Sequence, residues 1–134
     1  MQVAEHGNYR LACSNRIIEI VAIGSWNEAT IQHLFEQLNE LIDTFNGAPF
    51  ATLVDIRGFA LGTPEFKQIT IDGSELIVQR GLVSDAYVLG SSALSENMVR
   101  DMSPKTSNDQ YERQFFYSHL EALAWLHSRG FSIY

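Results

Sequence analysis

Few residues in this 134-residue chain have the types and spacing that acid–base, metal or nucleophilic chemistry requires. The histidines lie far apart, and none has a second histidine or a cysteine at the spacing of a zinc site; they are His6, His33, His119 and His127. Cys13 is the single cysteine, so no internal disulfide forms, and its place in a predicted strand favours a small buried side chain over a nucleophile. The sequence has no phosphate-binding glycine loop, nucleophile elbow or dinucleotide-binding motif. It therefore predicts a chain that is not an enzyme and that carries no metal and no cofactor.

Asp55 and Arg57 form the charged pair in the place where open α/β sheets carry functional groups, the end of a buried strand. Two interpretations stay open. Asp55 accepts hydrogen bonds from the amides of Arg57 or Gly58 and caps the turn, or the two side chains form a loop site for a ligand. Glu65 and Asp72 lie on different faces of a predicted helix, so their spacing predicts no paired-carboxylate site.

Composition and charge exclude several classes of protein. The 9 Lys and Arg against 16 Asp and Glu give a formal net charge of −7, which argues against a nucleic-acid partner because such a surface needs clustered cations. No apolar run approaches the roughly 20 residues of a membrane span, and the first residues lack the basic cluster and apolar core of a signal peptide. We therefore expect one globular domain over residues 1–134, located in the cytoplasm.

Hydrophobic periodicity and turn signals predict strands that alternate with helices. Ser25 and Glu28 have capping-box spacing and predict the start of the first helix, which Asn46-Gly47 ends. Because such alternation requires crossover connections, the predicted fold class is α/β, with a mixed, largely parallel sheet of four to five strands. The predicted strands are 9–13, 16–23, 50–56, 86–90 and 113–116, and the predicted helices are 26–45, 64–80, 95–102 and 119–128.

Residues 64–80 have two interpretations. Thr63, Pro64 and Glu65 follow the order of an N-cap, a proline at the first helical position and an early carboxylate, which predicts a helix. The alternative is a hairpin that turns at Asp72-Gly73 between two β-branched runs. The start signal, and the need for a crossover between two buried strands, favour the helix, in which Gly73 would allow a close approach to the sheet.

Three stretches of the sequence resemble the STAS-like domains, and most closely their small bacterial SpoIIAA-like branch, which includes anti-sigma factor antagonists. Residues 18–24 followed by a helix resemble the second strand and first helix of that family, and residues 53–58 resemble its strand that ends in an acidic residue. Phe115-Phe116 followed by Glu121-Ala122-Leu123-Ala124-Trp125-Leu126 is similar to the closing helix of the branch. The resemblance implies the STAS-like fold and a non-catalytic bacterial regulatory module that binds a protein partner, or in some relatives a nucleotide or a lipid-like ligand.

The resemblance also singles out Thr63. In anti-sigma factor antagonists, a serine at the start of the second helix is phosphorylated. This chain has Gly62-Thr63-Pro64-Glu65 there, so Thr63 is the hydroxyl in the corresponding place. A phosphate at a helix N-terminus is favoured by the helix dipole. Thr63 is therefore either a phospho-acceptor or only the helix cap.

The predicted second helix suggests an interaction surface. Ile71 and Val78 are seven residues apart and lie opposite the expected core residues, which are Phe66, Ile69, Leu76 and Ile77. Two apolar side chains on the second face predict a further contact, either with residues 94–102 of the same chain or with another chain, in a homodimer or with a different protein. Trp125 is a further candidate anchor, because tryptophan is frequent at interfaces; the alternative is that it covers the C-terminal tail.

A second function stays open from the same pattern. Helices on a sheet can leave an apolar cavity, here ringed by Phe35, Phe66 and Tyr87, and the chain would then carry a small apolar or lipid-like molecule.

Overall fold

The structure is a computed structural model that describes residues 2–6, 8–90, 93–102 and 109–133. Strands and helices alternate from β3 onward, as predicted. The strands are β1 (Gln2–His6), β2 (Tyr9–Ser14), β3 (Ile17–Trp26), β4 (Phe50–Gly62), β5 (Leu82–Val88) and β6 (Glu112–Phe116). The helices are α1 (Glu28–Asp43), α2 (Pro64–Gln79), α3 (Ala93–Asp101) and α4 (His119–Ser128).

The strands form one mixed sheet whose spatial order is the chain order, β1-β2-β3-β4-β5-β6. β1, β2 and β3 pair antiparallel, and β3 to β6 pair parallel. The predicted α/β class and largely parallel sheet are confirmed. The predicted count of four to five strands is wrong, because the sheet has 6. The extra strand, β1, has the sequence Gln-Val-Ala-Glu-His, which lacks the apolar periodicity that would have predicted a strand, and it pairs with β2.

Both faces of the sheet carry helices. α1, α2 and α3 cover one face, called the inner face, whose core includes Ile18, Ile20 and Val78. α4 covers part of the other face, called the outer face, where Leu53, Ala86, Val88 and Leu126 form a second cluster. A parallel sheet covered on both faces needs strands that are apolar on both sides, which explains the runs of Ile, Val and Leu in β3, β4 and β5.

α1 begins two residues later than the capping-box spacing predicts. β3 continues through Ser25 and Trp26, which pair with Leu61 and Gly62 of β4, so Ser25 cannot be the cap. The N-cap is Asn27, whose Oδ1 accepts a hydrogen bond from the amide of Thr30 at 3.0 Å. Strand pairing has therefore outcompeted a local helix-start signal.

β4 is longer than predicted, so Asp55 does not stand at the end of a strand. The strand passes through Asp55 and Arg57 to Gly62, with a register shift against β3 between Val21 and Ile23. An irregularity of this kind bends a strand and redirects its side chains. The Asp55–Arg57 segment is therefore a bend inside a strand and not a loop.

α2 is a helix over Pro64–Gln79, so the predicted helix is confirmed and the hairpin at Asp72-Gly73 is wrong. The predicted outward face of α2 is also wrong. Ile71 and Val78 are buried, with 8% and 2% of their surface exposed, whereas Leu76, which was expected in the core, is 59% exposed. Ile71 and Val78 therefore cannot form a free interaction surface.

The inward face of α2 was misassigned because it contains small polar residues. Thr70 and Ser74 line the space beneath the helix together with Phe66 and Ile77. A hydroxyl can face inward when the backbone satisfies it, and Thr70 Oγ1 donates to the carbonyl of Phe66 at 2.7 Å. Gly73 was expected to approach the sheet. A Cβ there would instead meet the ring of Phe35 in α1 at 2.5 Å, so this glycine permits close contact between two helices.

The corrected burial of α2 makes a prediction about stability. Val78→Glu should lower the free energy of unfolding by about 3–5 kcal/mol, because it places an unpaired carboxylate in the core. Leu76→Glu on the same helix is the matched control and should cost less than about 1 kcal/mol, because most of that side chain is in solvent. Urea denaturation followed by circular dichroism measures both. Equal losses for the two variants would contradict the assigned rotation of α2.

Candidate functional site

An apolar chamber of about 100 Å³ lies between the inner face of the sheet and helices α1, α2 and α3. Phe35, Phe66 and Tyr87 all line it, so the structure brings together the three aromatic residues that were predicted to ring such a cavity. Met98 and Met102 close it from the α3 side. Because methionine is unbranched and flexible, this wall can adjust to the shape of a bound molecule.

One end of the chamber is aromatic. The ring of Trp26 packs edge-on against Phe59 at 5.8 Å and Phe66 at 5.9 Å between centroids, and Phe59 stacks on Phe66 at 5.4 Å. Trp26 Nε1 donates to the carbonyl of Asn8 at 2.9 Å, which fixes the indole in place. These contacts make the aromatic end rigid, since each ring is held by at least one other.

The other end of the chamber is polar, and it is built from one row across three strands. Thr52 of β4 is the register partner of Asp85, and Asp85 is the partner of Arg113 in β6. Asp85 is 3% exposed; its Oδ1 accepts from Thr52 Oγ1 at 2.8 Å, and its Oδ2 accepts from Arg113 Nε at 3.0 Å. The side chains of Arg113 and Asp85 are 8% and 4% exposed, so this is a buried ion pair.

Two tyrosines complete the polar end. Tyr111 donates its hydroxyl proton to Asp85 Oδ2 at 2.8 Å, and the Arg113 guanidinium lies 4.6 Å above the ring of Tyr87. Burial and the negative charge of Asp85 raise the pKa of Tyr111 well above its usual range, so the hydroxyl stays protonated and keeps donating. Burial raises the pKa of Tyr87 to about 12. The carboxylate, the guanidinium and the phenol therefore satisfy one another without water.

Sequence reasoning missed this polar row, although a signal was present. The strand over 86–90 was predicted to begin after Asp85, which treated the carboxylate as part of a turn. An aspartate that continues into an apolar strand must find a cation or a donor on the neighbouring strands. Arg113, at the start of the predicted edge strand, was the available cation. Its partner depends on the strand register, which composition does not give.

The outer face holds the predicted Asp55–Arg57 pair. Asp55 Oδ1 accepts from the backbone amide of Arg57 at 3.0 Å, which is the hydrogen bond expected of a cap, although the segment lies inside β4 and not in a turn. The Arg57 guanidinium also donates to both carboxylate oxygens of Asp55, with Nε 3.0 Å from Oδ1 and Nη2 2.7 Å from Oδ2. Burial acts to raise the pKa of Asp55, but the hydrogen bonds and charge of Arg57 outweigh it, so this pKa lies below its ordinary value.

Exposed apolar side chains lie next to the start of α4 in the chain and along β3. His119, the first residue of α4, places Nε2 3.3 Å from Oε1 of Glu19 in β3, so the start of α4 lies against that strand. Tyr117 and Leu120 flank His119 in the chain and are 64% and 78% exposed, and Ile23, farther along β3, is 44% exposed. We call Ile23, Tyr117 and Leu120 the outer patch.

The described residues contain no group of three or more His, Cys, Asp or Glu side chains that could hold a metal ion. Within the same part of the chain, every helix is too short or too polar to cross a membrane.

Solved structures with the same arrangement include an uncharacterized protein of the DUF3478 family from Shewanella loihica PV-4, with a TM-score of 0.67 at 15% identity over 94% of this chain and 98% of that one. They also include the anti-sigma factor antagonist SpoIIAA in its unphosphorylated form, with a TM-score of 0.59 at 13% identity over 92% of this chain and 99% of that one. No protein-family model and no curated protein matches the sequence. The first of these structures is itself described by its SpoIIAA-like fold. The fold of this chain is SpoIIAA-like.

The SpoIIAA-like fold confirms the resemblance seen in the sequence. The structure also gives the positions of Thr63 and Trp125, the two other residues that the sequence singled out. Thr63 is exposed and caps α2, with Oγ1 accepting from the amide of Phe66 at 3.4 Å. Its role as a phospho-acceptor stays a prediction. Trp125 is half-buried, with its ring 5.8 Å from that of Phe116 and 5.5 Å from the guanidinium of Arg129. Trp125 therefore packs against the end of β6 as well as facing solvent.

The Asp55–Arg57 contacts predict a pH dependence. A carboxyl group whose pKa is lowered on folding adds stability above its unfolded pKa, about 3.9, and this stability is lost as the pH falls through the folded pKa. Arg57→Ala should therefore be less stable than the unmodified chain at neutral pH, and the difference should shrink as the pH approaches 3 in urea titrations.

The matched control for this prediction is Arg16→Ala. Arg16 donates to the carbonyl of Pro49 and lies over the ring of Phe131, so the partners that the structure gives it do not titrate. Its cost should change little with pH. A constant difference between the unmodified chain and Arg57→Ala would show that Arg57 does not act on the ionisation of Asp55.

Proposed function

We propose that this chain is a STAS-type regulatory module that works by binding another protein and does not catalyse a reaction. The fold shared with an anti-sigma factor antagonist supports this proposal, since that protein acts on a partner. The proposal places the chain in bacterial signalling or stress regulation in the cytoplasm, with a different protein or a second copy of the chain, in a homodimer, as its partner. The observation that carries it is the outer patch.

The outer patch has the composition of a docking surface. Ile23, Tyr117 and Leu120 place an aromatic and two aliphatic side chains in solvent beside charged groups that are already paired. Apolar side chains supply binding energy when a partner covers them, and a charged border gives orientation. The Arg57 side chain is 50% exposed although it holds Asp55, so part of the guanidinium is open to a partner.

The backbone that carries the outer patch is held by hydrogen bonds and ring packing. Tyr117 follows Phe116, whose carbonyl accepts from the amide of Leu89 at 2.8 Å and whose ring packs on Trp125. Leu120 lies in the first turn of α4, where Ser118 Oγ accepts from the amide of Glu121 at 3.1 Å. Trp125 thus contributes to the interface by holding the strand end that carries Tyr117. Pre-ordered side chains lose less entropy on binding, which favours recognition.

The outer patch predicts a partner-binding defect. Leu120→Glu should abolish retention of the partner in affinity capture from the native cell, because it places a charge in the apolar contact, whereas the fold should persist. Gln79→Glu, which adds the same charge at an exposed position of α2 on the opposite side of the sheet, should retain the same protein. Sedimentation of the three chains separates a second copy from a different partner. A protein captured equally by all three would contradict the patch.

The chamber supports a second candidate function, the binding of a small apolar molecule. A designed cavity of about 150 Å³ admits benzene, so a chamber of about 100 Å³ sets an upper limit near the size of benzene for a molecule that enters without displacing the wall. A lipid-sized ligand, which the sequence pattern had also allowed, would require α3 to move outward. The polar row at one end adds hydrogen-bonding groups, although each is already engaged within the protein.

The chamber predicts a ligand effect that depends on its free volume. Benzene at saturation should raise the Tm of the unmodified chain, because a ligand that binds the native state stabilises it. Ser74→Met should fill the chamber and remove the shift, whereas Ser74→Ala should preserve it. Differential scanning calorimetry measures all three. The same shift in Ser74→Met would mean that benzene binds elsewhere.

A further inference from the structure

α1 and α2 together have a net charge of −6, from seven acidic residues and one lysine, in a chain whose formal net charge is −7. The acidic residues of α1 are Glu28, Glu36, Glu40 and Asp43, and that helix has no lysine or arginine. α2 adds Glu65, Asp72 and Glu75 against one basic residue, Lys67. The acidic character of the chain is therefore concentrated on the helices that cover the inner face.

A surface groove of about 380 Å³ runs between these two helices. Its floor is apolar and consists of Phe35 from α1 with Ile69 and Leu76 from α2. Leu76 is 59% exposed and lies seven residues after Ile69, so the two residues form a stripe along one side of α2. We call this feature the acidic groove, because its two sides carry Glu36 and Asp72.

The charges on the two sides of the groove are open to solvent. The Glu36 side chain is 74% exposed, and the neighbour that the structure gives it is His33, 3.8 Å away. Asp72 is exposed and accepts from Gln68 at 2.9 Å, a bond to a neutral amide. The positive charge near the groove is that of Arg80 at one end, which pairs with Asp43 and donates to Asn39 Oδ1 at 2.7 Å.

From this geometry we propose that the acidic groove docks a basic amphipathic helix of another protein. A helix laid between α1 and α2 would set apolar side chains at i, i+3, i+4 and i+7 on Phe35, Ile69 and Leu76. Its lysine or arginine side chains would then meet Glu36 and Asp72 on either side. The charge pattern excludes an acidic segment, including the acidic helices of a second copy of this chain, because like charges would face one another.

This proposal goes beyond the proposed function and is independent of it. The groove lies over the inner face of the sheet, whereas the outer patch lies on the other face. A partner can be lost from either surface without the other. Two surfaces would also allow the module to hold two proteins at once.

The test uses three labelled synthetic peptides of about 16 residues, the length of α1 and of α2. One has a leucine stripe and lysines, one has the same stripe with glutamates, and one keeps the lysines but has serines for the leucines. Fluorescence anisotropy with the full chain should give saturable binding of the first peptide, at least about tenfold tighter than either of the others. Raising the salt concentration should weaken it, since exposed charges are screened.

Matched variants locate the site. Leu76→Ser should weaken binding of the leucine–lysine peptide about tenfold, whereas Leu120→Ser on the outer patch should leave it unchanged. The double variant Glu36→Gln with Asp72→Asn should weaken it similarly. Asp109→Asn with Glu121→Gln, which removes the same charge from exposed positions outside the groove, should not.

Contradictory outcomes are equally specific. If the serine peptide binds as tightly as the leucine–lysine peptide, the binding is only a general attraction of charges. If Leu76→Ser and Leu120→Ser lose the same affinity for the leucine–lysine peptide, the peptide binds elsewhere. Either result overturns the proposal. If Leu76→Ser fails to fold, a photo-crosslinker on the leucine stripe decides with the unmodified chain. Crosslinks to α1 and α2 support the groove, and crosslinks to α4 overturn it.

Discussion

The ion pair between Asp85 and Arg113 is the constraint on which the inner half of the molecule depends. Charges removed from water cost several kcal/mol each unless they are paired and hydrogen-bonded, so neither residue is tolerable in the interior without the other. Their positions are register partners on β5 and β6, and Thr52 on β4 and Tyr111 supply further donors to the carboxylate. A shift of one residue between any two of these strands would turn one group to the outer face and leave the others unpaired. The polar row thus fixes the register of three strands that apolar contacts alone would leave less defined.

The same row determines how the chamber is closed. Arg113 donates to the carbonyl of Val99 in α3 at 3.2 Å, and Val99 lines the chamber. Another polar tie between α3 and its neighbours is the ion pair of Lys67 with Asp101, whose side chains are 51% and 67% exposed. Exposed pairs of this kind contribute little to stability. The hydrogen bond from the buried Arg113 guanidinium therefore holds α3 more strongly than the exposed ion pair does. Because Arg113 belongs to β6, this wall of the chamber is fixed to the sheet.

Local signals in the sequence were sufficient for the fold class and for the helices, because a cap acts within a few residues. Thr63 and Ser118 cap their helices as predicted, and the left-handed Asn46-Gly47 lies just beyond α1. Errors arose where distant contacts decide. Strand pairing moved the start of α1 past Ser25, and the burial of Ile71 depends on which side of α2 faces the core, although the inward side includes Thr70 and Ser74. The polar row was beyond reach for the same reason, since register is a property of the assembled sheet.

Phe35 connects the interior of the molecule with its surface. Its ring lines the chamber on one side and the floor of the acidic groove on the other, so a single side chain separates the two spaces. The ring can lie there because Gly73 leaves room for it, as a Cβ at that position would come within 2.5 Å. A molecule that moves this ring from inside the chamber therefore changes the shape of the groove floor. Interior volume and external recognition are thus linked through one contact between α1 and α2.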